Sequence, residues 1–177
     1  DEGLRRDQAE QVVKRYGSWF IAAAVLLLAA VGGWLFWKNN QAEQAAAGSE
    51  QLAAILTDIG AGKTGTDVEQ RLDTLAREGN GSLSGAARLT RAAVALQKSD
   101  RATAIAQYRQ VMEDGDVPPT VRDTATIRLT QLEFDSLQPQ QVIDRLAPLA
   151  VKESAWYGSA GELTALAMLK ANRRGEA

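Results

Sequence analysis

The 177-residue chain contains no cysteine and no histidine. Without cysteine it forms no disulfide and offers no thiolate nucleophile, and without histidine it has neither an imidazole zinc site nor a histidine general base. An excess of either charge is missing as well. Twenty basic residues stand against 22 acidic ones, for a formal charge of −2. That balance argues against a nucleic-acid or anionic-surface binder. The alternation of apolar and polar residues that marks a half-buried strand is also absent. A cysteine-free chain fits an extracytoplasmic domain that folds without disulfides. The length leaves room for one compact domain beyond any membrane segment.

One long apolar run is present. Residues 19–37 read WFIAAAVLLLAAVGGWLFW, with no charged side chain. As a helix this run spans about 28 Å, close to the hydrocarbon thickness of a bilayer. Tyr16, Trp19 and Phe20 stand at one end and Trp34, Phe36 and Trp37 at the other. Amphipathic rings prefer these two interfaces, so Tyr16, Trp19, Trp34 and Trp37 are the candidate membrane-interface residues and the lipid bilayer is an expected partner. Arg5, Arg6, Lys14 and Arg15 precede the run, and only Lys38 follows it closely. The positive-inside rule then places residues 1–18 in the cytoplasm and 38–177 outside. The run is too long for an ordinary signal-peptide core, and bulky residues occupy the cleavage position, so an uncleaved anchor is expected. Ala22, Ala29, Gly32 and Gly33 fall along one side at helical spacing, and Ala29-x-x-x-Gly33 is a small-xxx-small pattern suited to helix packing.

Beyond Lys38 the sequence reads as helix after helix. The alanine-rich stretch 39–59 continues the membrane helix outward, and the glycines of 60–65 break it. Thr66 and Glu69 have capping-box spacing, ahead of a face with Val68, Leu72 and Leu75. Gly79, Asn80 and Gly81 end that helix. Ser82 or Ser84 is expected to cap the next, with Leu89, Ala93 and Leu96 on its buried face, and Asp100 to cap a fourth that buries Ala104, Tyr108 and Val111. Pro118 and Pro119 open a helix carrying Val121, Ala125, Leu129 and Leu132, and Pro139 opens one leading to Val142, Leu146 and Leu149. A last helix runs from about Trp156 to Leu169.

Repetition gives these helices an architecture. Arg88-Leu89-Thr90, Arg128-Leu129-Thr130 and Glu162-Leu163-Thr164 recur at separations of 40 and 34 residues. Helix pairs at that period define an α-solenoid of tetratricopeptide type, in which stacked neighbours complete each other's core. Small residues such as Ala92, Ala104 and Ala125 are expected at the closest approaches, and about three and a half repeats fit the chain. Ser99, Asp100, Ala104 and Tyr108 resemble the turn and the small–aromatic pair of a tetratricopeptide second helix. The first-helix Trp and Gly of that consensus are not found. The expected fold is all-α: a single N-terminal transmembrane helix, 19–37, followed by a tetratricopeptide-like solenoid over 38–177.

Leu4, Arg5, Arg6, Asp7 and Gln8, then Lys14 to Trp19 (KRYGSW), one apolar span and degenerate repeats together resemble a known family. These are the membrane-anchored tetratricopeptide proteins similar to the ancillary SecYEG translocon subunit (YfgM-like). The resemblance implies a scaffold on the periplasmic side of the bacterial inner membrane, near a SecYEG-like translocon and chaperones. It implies no catalytic residues.

Other motifs carry less. Gly62-Lys63-Thr64 ends like a phosphate-binding loop, but Thr57 stands where the first glycine is required and no strand precedes it. No nucleotide is expected. Glu113, Asp114, Gly115 and Asp116 lack the alternating ligands and distant Glu of a calcium loop, so a turn is expected and no metal or other cofactor. Arg88, Arg91, Arg122 and Arg128 lie on the first helices of the repeats, and they are the candidate groove for acidic partner segments. Against that, residues 39–177 hold 15 basic and 18 acidic groups, which is the balance of an ordinary solvated surface. Trp156 and Tyr157 are expected to pack into the core. The function this supports is an interaction scaffold, not an enzyme, with other membrane or periplasmic proteins as partners. The alternative is an accessory structural subunit of another membrane complex, for instance a respiratory or photosynthetic one.

Overall fold

The computed structural model describes the backbone of residues 2–175, and side chains outside 2–25, 41–42 and 44. Among the described residues there are seven helices and no strand. They are α1 (Glu2–Gly60), α2 (Thr66–Glu78), α3 (Gly81–Gln97), α4 (Arg101–Glu113), α5 (Pro119–Glu133), α6 (Pro139–Leu146) and α7 (Tyr157–Lys170). The chain divides into two compact units, Asp1–Ala46 and Ala47–Ala177.

The first unit is most of α1. Tyr16, Trp19 and Ala22 lie outside the residues whose side chains are described. From 26 to 40 the helix is exposed, with Leu26 at 71% and Phe36 at 78%. Ala29 is exposed, and nothing approaches within 4 Å of a Cβ placed on Gly32 or Gly33. Trp34 and Trp37 are exposed, and Lys38 Nζ lies 5.0 Å from the Trp34 ring centroid. Among the described residues no helix is long and apolar enough to cross a membrane, and the run 19–37 begins outside the described side chains.

The second unit is stacked around three apolar clusters. The first joins Ile55 of α1 to Val68, Leu72 and Leu75 of α2 and to Leu83, Ala87 and Val94 of α3. The second joins Ala92 and Ala95 of α3 to Ala104, Tyr108 and Val111 of α4 and to Ala125 and Leu129 of α5. The third joins Ile127 of α5 to Val142 and Leu146 of α6 and to Ala160 and Ala167 of α7. Each cluster is thus one helix pair closed by the first helix of the next. The end of α1 with α2, α3 with α4, and α5 with α6 form the pairs, and α7 is the half. Such an arrangement stabilises each pair through its neighbours.

The repeat register differs from the one the triplets suggested. On α3, Leu83, Ala87 and Val94 face the preceding pair; on α5, Val121, Ala125 and Leu132 do so; in the last helix, the N-cap Trp156 with Ala160 and Ala167 of α7. These sets are related by steps of 38 and 35 residues, with Ala87, Ala125 and Ala160 each fully buried. The Arg-Leu-Thr triplets, at 40, are two residues out of register. Thr130 is consequently buried, its hydroxyl donating to the Thr126 carbonyl at 2.7 Å, while Thr90 is half-exposed.

Helix ends follow local chemistry, with two corrections. Gly65, not Thr66, is the cap residue of α2, so the expected capping box does not form. Asn80 caps α3, accepting from Leu83 N at 3.0 Å, and Ser84 instead donates to the Ala76 carbonyl at 2.7 Å from a buried position. Asn80 wins because its side chain precedes the first turn, where free N–H groups point back toward it. The α3 face is also rotated: Ala93 and Leu96 are exposed, and Leu83, Ala87 and Val94 are buried in their place. Asp100 caps α4 by accepting from Thr103 N at 3.1 Å. Helix α1 ends in a Schellman turn, Lys63 N to Asp58 O and Gly62 N to Ile59 O, both 2.9 Å, with Gly62 at φ +81°. At Gly81 a Cβ would sit 1.8 Å from the Asp116 carbonyl oxygen, so only glycine lets the α4–α5 turn pass across the start of α3.

Candidate interaction surface

The four candidate groove arginines do not form one face. Arg88 is held at the junction of three helices. Its Nε donates to Ser84 Oγ at 3.3 Å, Nη2 to the Ala76 carbonyl at 3.4 Å, and Nη1 to Gln110 Oε1. Arg91 points back to α2, 3.4 Å from Glu69 and 3.5 Å from Asp73, with a side chain only 14% exposed. Its Nε is buried without a hydrogen bond in proper geometry, leaving the ion pairs to compensate. Arg122 is half-buried on α5, and exposed Arg128 donates to Gln131 at 3.3 Å. A basic patch open to a partner is therefore reduced to the α5 pair, Arg122 and Arg128.

Charged side chains elsewhere clip neighbouring helices together. Asp58 on α1 takes Arg71 of α2 at 2.8 Å and Lys63 of the connecting turn at 3.0 Å. These hydrogen bonds, that of Arg71 first, hold the Asp58 carboxyl below its ordinary pKa and raise that of Arg71. Glu69 takes Lys98 at 2.6 Å in addition to Arg91. Lys63 is thus occupied by a carboxylate in a helix-ending turn, which gives it a structural role. In the acidic stretch, Asp114 Oδ1 accepts from Asp116 N at 3.0 Å in a local turn. Burial raises the Tyr108 phenol above its usual pKa.

What the first helices present to solvent is mixed in character. Ala93 and Leu96 on α3, Gln131 on α5, and Leu166 and Leu169 on α7 are exposed, the last two at 45% and 48%. The Trp156–Tyr157 pair separates: Trp156 packs on the third cluster while Tyr157 is exposed. Charge patterning does not single out Leu166 and Leu169, but the hydropathy of this stretch does. Residues 163–169 read LTALAML, apolar but for Thr164, so the side left exposed by the third cluster carries Leu166 and Leu169 beside Glu162 and Lys170.

An all-α helical repeat of this kind, with clusters shared between successive pairs, defines the class. The chain belongs to the tetratricopeptide repeat-like domain family, whose model matches residues 11–177. Domains of this family mediate protein–protein interaction and are typically non-catalytic scaffolds. No curated protein and no solved structure matched the chain.

Proposed function

We infer that the chain is a membrane-tethered scaffold for protein–protein interaction, with 1–18 in the cytoplasm, 19–37 across the bacterial inner membrane and 38–177 in the periplasm. The observation that carries the tether is the side-chain environment of α1 from 26 to 37. Leu26, Leu27, Leu28, Val31, Trp34, Leu35, Phe36 and Trp37 are all exposed, around the whole circumference of one helix. Water does not tolerate such a surface and a bilayer does. Trp34 and Trp37 with Lys38 stand where an aromatic belt and a snorkelling lysine meet the interface. The juxtamembrane residues Lys14 to Trp19 support a place beside a SecYEG-like translocon and its chaperones. Ala22, Ala29, Gly32 and Gly33 supply the helix-packing side, and Arg122 and Arg128 a basic rim for an acidic partner segment. The role is non-catalytic and needs no cofactor.

Two experiments test this. A reporter active only outside the cytoplasm, fused after Ala177, is expected to be active; an inactive but fully expressed fusion overturns the topology. Purification in mild detergent is expected to retain translocon and chaperone chains. Stoichiometric respiratory or photosynthetic chains would instead make the protein an accessory subunit of that complex.

A further inference from the structure

We propose that Asn80–Gly81 is a covalent modification site, a deamidation switch that is shut while the start of α3 is docked and irreversible once that start has opened and reacted. The inference is independent of the membrane reading. Residues 80 and 81 are the chain's single Asn-Gly step. No side chain on Gly81 shields its backbone nitrogen, which attacks Cγ of the Asn80 amide. The bond from that nitrogen to Cγ forms, the bond from Cγ to Nδ2 breaks, and ammonia leaves with the proton that Gly81 gives up. Water then opens the resulting five-membered imide at one of its two carbonyls. Opening at Cγ leaves an ordinary aspartate. Opening at the main-chain carbonyl leaves isoaspartate, whose backbone runs through the former side chain. Asn80 is exposed, so water reaches it and ammonia escapes.

The folded chain opposes the first step. Ring closure needs the Gly81 nitrogen eclipsed with the Asn80 Cβ, and at an Asn80 ψ of 168° it is not. The Asn80 side-chain oxygen accepts from Leu83 N at 3.0 Å, which holds Cγ over the first turn of α3. The Asn80 main-chain carbonyl accepts from Ser84 N at 2.7 Å. Turning the Gly81 nitrogen toward Cγ swings that carbonyl with it, because the peptide unit is planar, and the bond to Ser84 is lost. Gly81 itself lies so close to the Asp116 carbonyl that a Cβ does not fit, and buried Gly85 packs on Val117 of the same turn. The imide therefore forms only when the first turn of α3 leaves the α4–α5 turn, a local opening.

The products differ in fit. Aspartate keeps a capping oxygen and adds a negative charge to a helix with no acidic residue in its first turn, which the helix dipole favours. Isoaspartate inserts a methylene into the main chain between the end of α2 and the Gly81 contact. The start of α3 then no longer closes, and Leu83 loses its place in the first cluster.

The full chain in mild detergent and a peptide of residues 76–86 are incubated side by side at mildly alkaline pH. Conversion at residue 80 is followed by mass spectrometry with electron-transfer fragmentation, which separates aspartate from isoaspartate. Conversion is expected to be about tenfold or more slower in the folded chain than in the peptide, since it draws on the opened state alone. Val117→Ala, which loosens the turn against Gly81 and Gly85, is expected to speed it by about threefold or more, and Val142→Ala in the third cluster to change it by less than about twofold. Equal rates in chain and peptide overturn the proposal, and that comparison stands whether or not Val117→Ala folds. Equal acceleration by the two variants also overturns it, because unfolding of the whole domain would then be the route. The isoaspartyl chain, separated by ion exchange, is expected to melt below the parent, and Asn80→Asp at or above it. An isoaspartyl chain that melts with the parent overturns the switch. So does an Asn80→Asp variant as unstable as the isoaspartyl chain, since charge and not the added methylene would be the cause.

Discussion

Arg145 donates to Glu133 across 2.8 Å, tying α6 to the last residue of α5. The other carboxylate oxygen of Glu133 accepts from Arg109 of α4. Three successive helices meet on one side chain that is itself only 11% exposed. Glu69 has a similar role in the preceding joint, receiving Arg91 and Lys98 from the α3 side. Apolar clusters stack the pairs, and these carboxylates add charge-assisted bonds across the same joints.

Glu133→Ala is accordingly expected to cost about 1–3 kcal/mol, the range for hydrogen bonds to charged groups that leave a partner unsatisfied. Arg109→Ala, whose side chain is about half exposed, is expected to cost under about 1 kcal/mol because solvent screens that arm. Urea unfolding of a fragment covering 47–177 measures both. Equal costs would show that the two arms of the junction are equivalent despite their different burial.

Leu129 and Arg91 test the helix facing. Leu129 is fully buried in the second cluster, and Leu129→Ala is expected to cost about 2–5 kcal/mol, as core leucine truncations do. The sequence placed Arg91 on an open face, where its loss would cost almost nothing. Its side chain is mostly buried between Glu69 and Asp73, so Arg91→Ala is expected to cost about 1–2 kcal/mol. A cost below about 0.5 kcal/mol, typical of surface changes, would mean that these ion pairs do not persist in solution.

The contrast shows where the sequence was legible. Helix number, the breaks at 60–65 and 79–81, the proline starts and the Asp100 cap each follow from one or two residues acting locally. The faces of α4 and α6 were legible because one apolar stripe has one destination, and on α5 the expected Val121, Ala125, Leu129 and Leu132 form the side toward the preceding pair, while the second side, with Ile127, was missed. Helix α3 was not. It is buried on two sides, so Leu89 with Ala93 and Leu96 formed an apparent stripe that cuts across the two real ones. The Arg-Leu-Thr triplets led to the right number of repeats in the wrong register, since a three-residue match on a helix does not fix which way it faces. The arginines misled for a related reason. Long side chains reach back over a neighbouring helix, and sequence spacing does not reveal the direction.

A left-handed residue offers a stabilising change. Ser99 sits at φ +61° in the turn after α3, where Asp100 N bonds the Ala95 carbonyl at 2.8 Å and Ser99 N the Leu96 carbonyl at 3.0 Å. This is the same helix-ending turn that Gly62 makes after α1, but with a Cβ in the disfavoured region. Ser99→Gly is expected to raise stability by about 0.5–1 kcal/mol, net of the extra freedom glycine has when unfolded. An increase in the urea midpoint at constant slope would show it. A decrease would mean that the serine hydroxyl stabilises the turn by more than its backbone strains it.

Acid should unfold the repeat domain in a narrow window. With no histidine and no cysteine, no side chain of ordinary pKa titrates between about pH 5 and 8. Stability is therefore expected to be flat there. Two carboxyls are held below their ordinary values: Asp100 by its side-chain and backbone hydrogen bonds from Thr103, and Asp58 by Arg71 and then Lys63. A depressed folded pKa contributes stability that is complete above the unfolded value, about 3.9 for aspartate, and is lost as pH falls through the folded one. The thermal midpoint should thus hold down to about pH 5 and fall below about pH 4. Asp100→Asn keeps the capping oxygen but no longer titrates, so it should reduce the acid limb while changing the neutral plateau little. Asp58→Asn should lower the plateau as well, because it removes the charge that Arg71 and Lys63 share. Thermal melts from pH 7 to pH 3 on the parent chain, the two single variants and the double variant decide the matter. An acid limb unchanged in the double variant would place the responsible protons on other carboxylates.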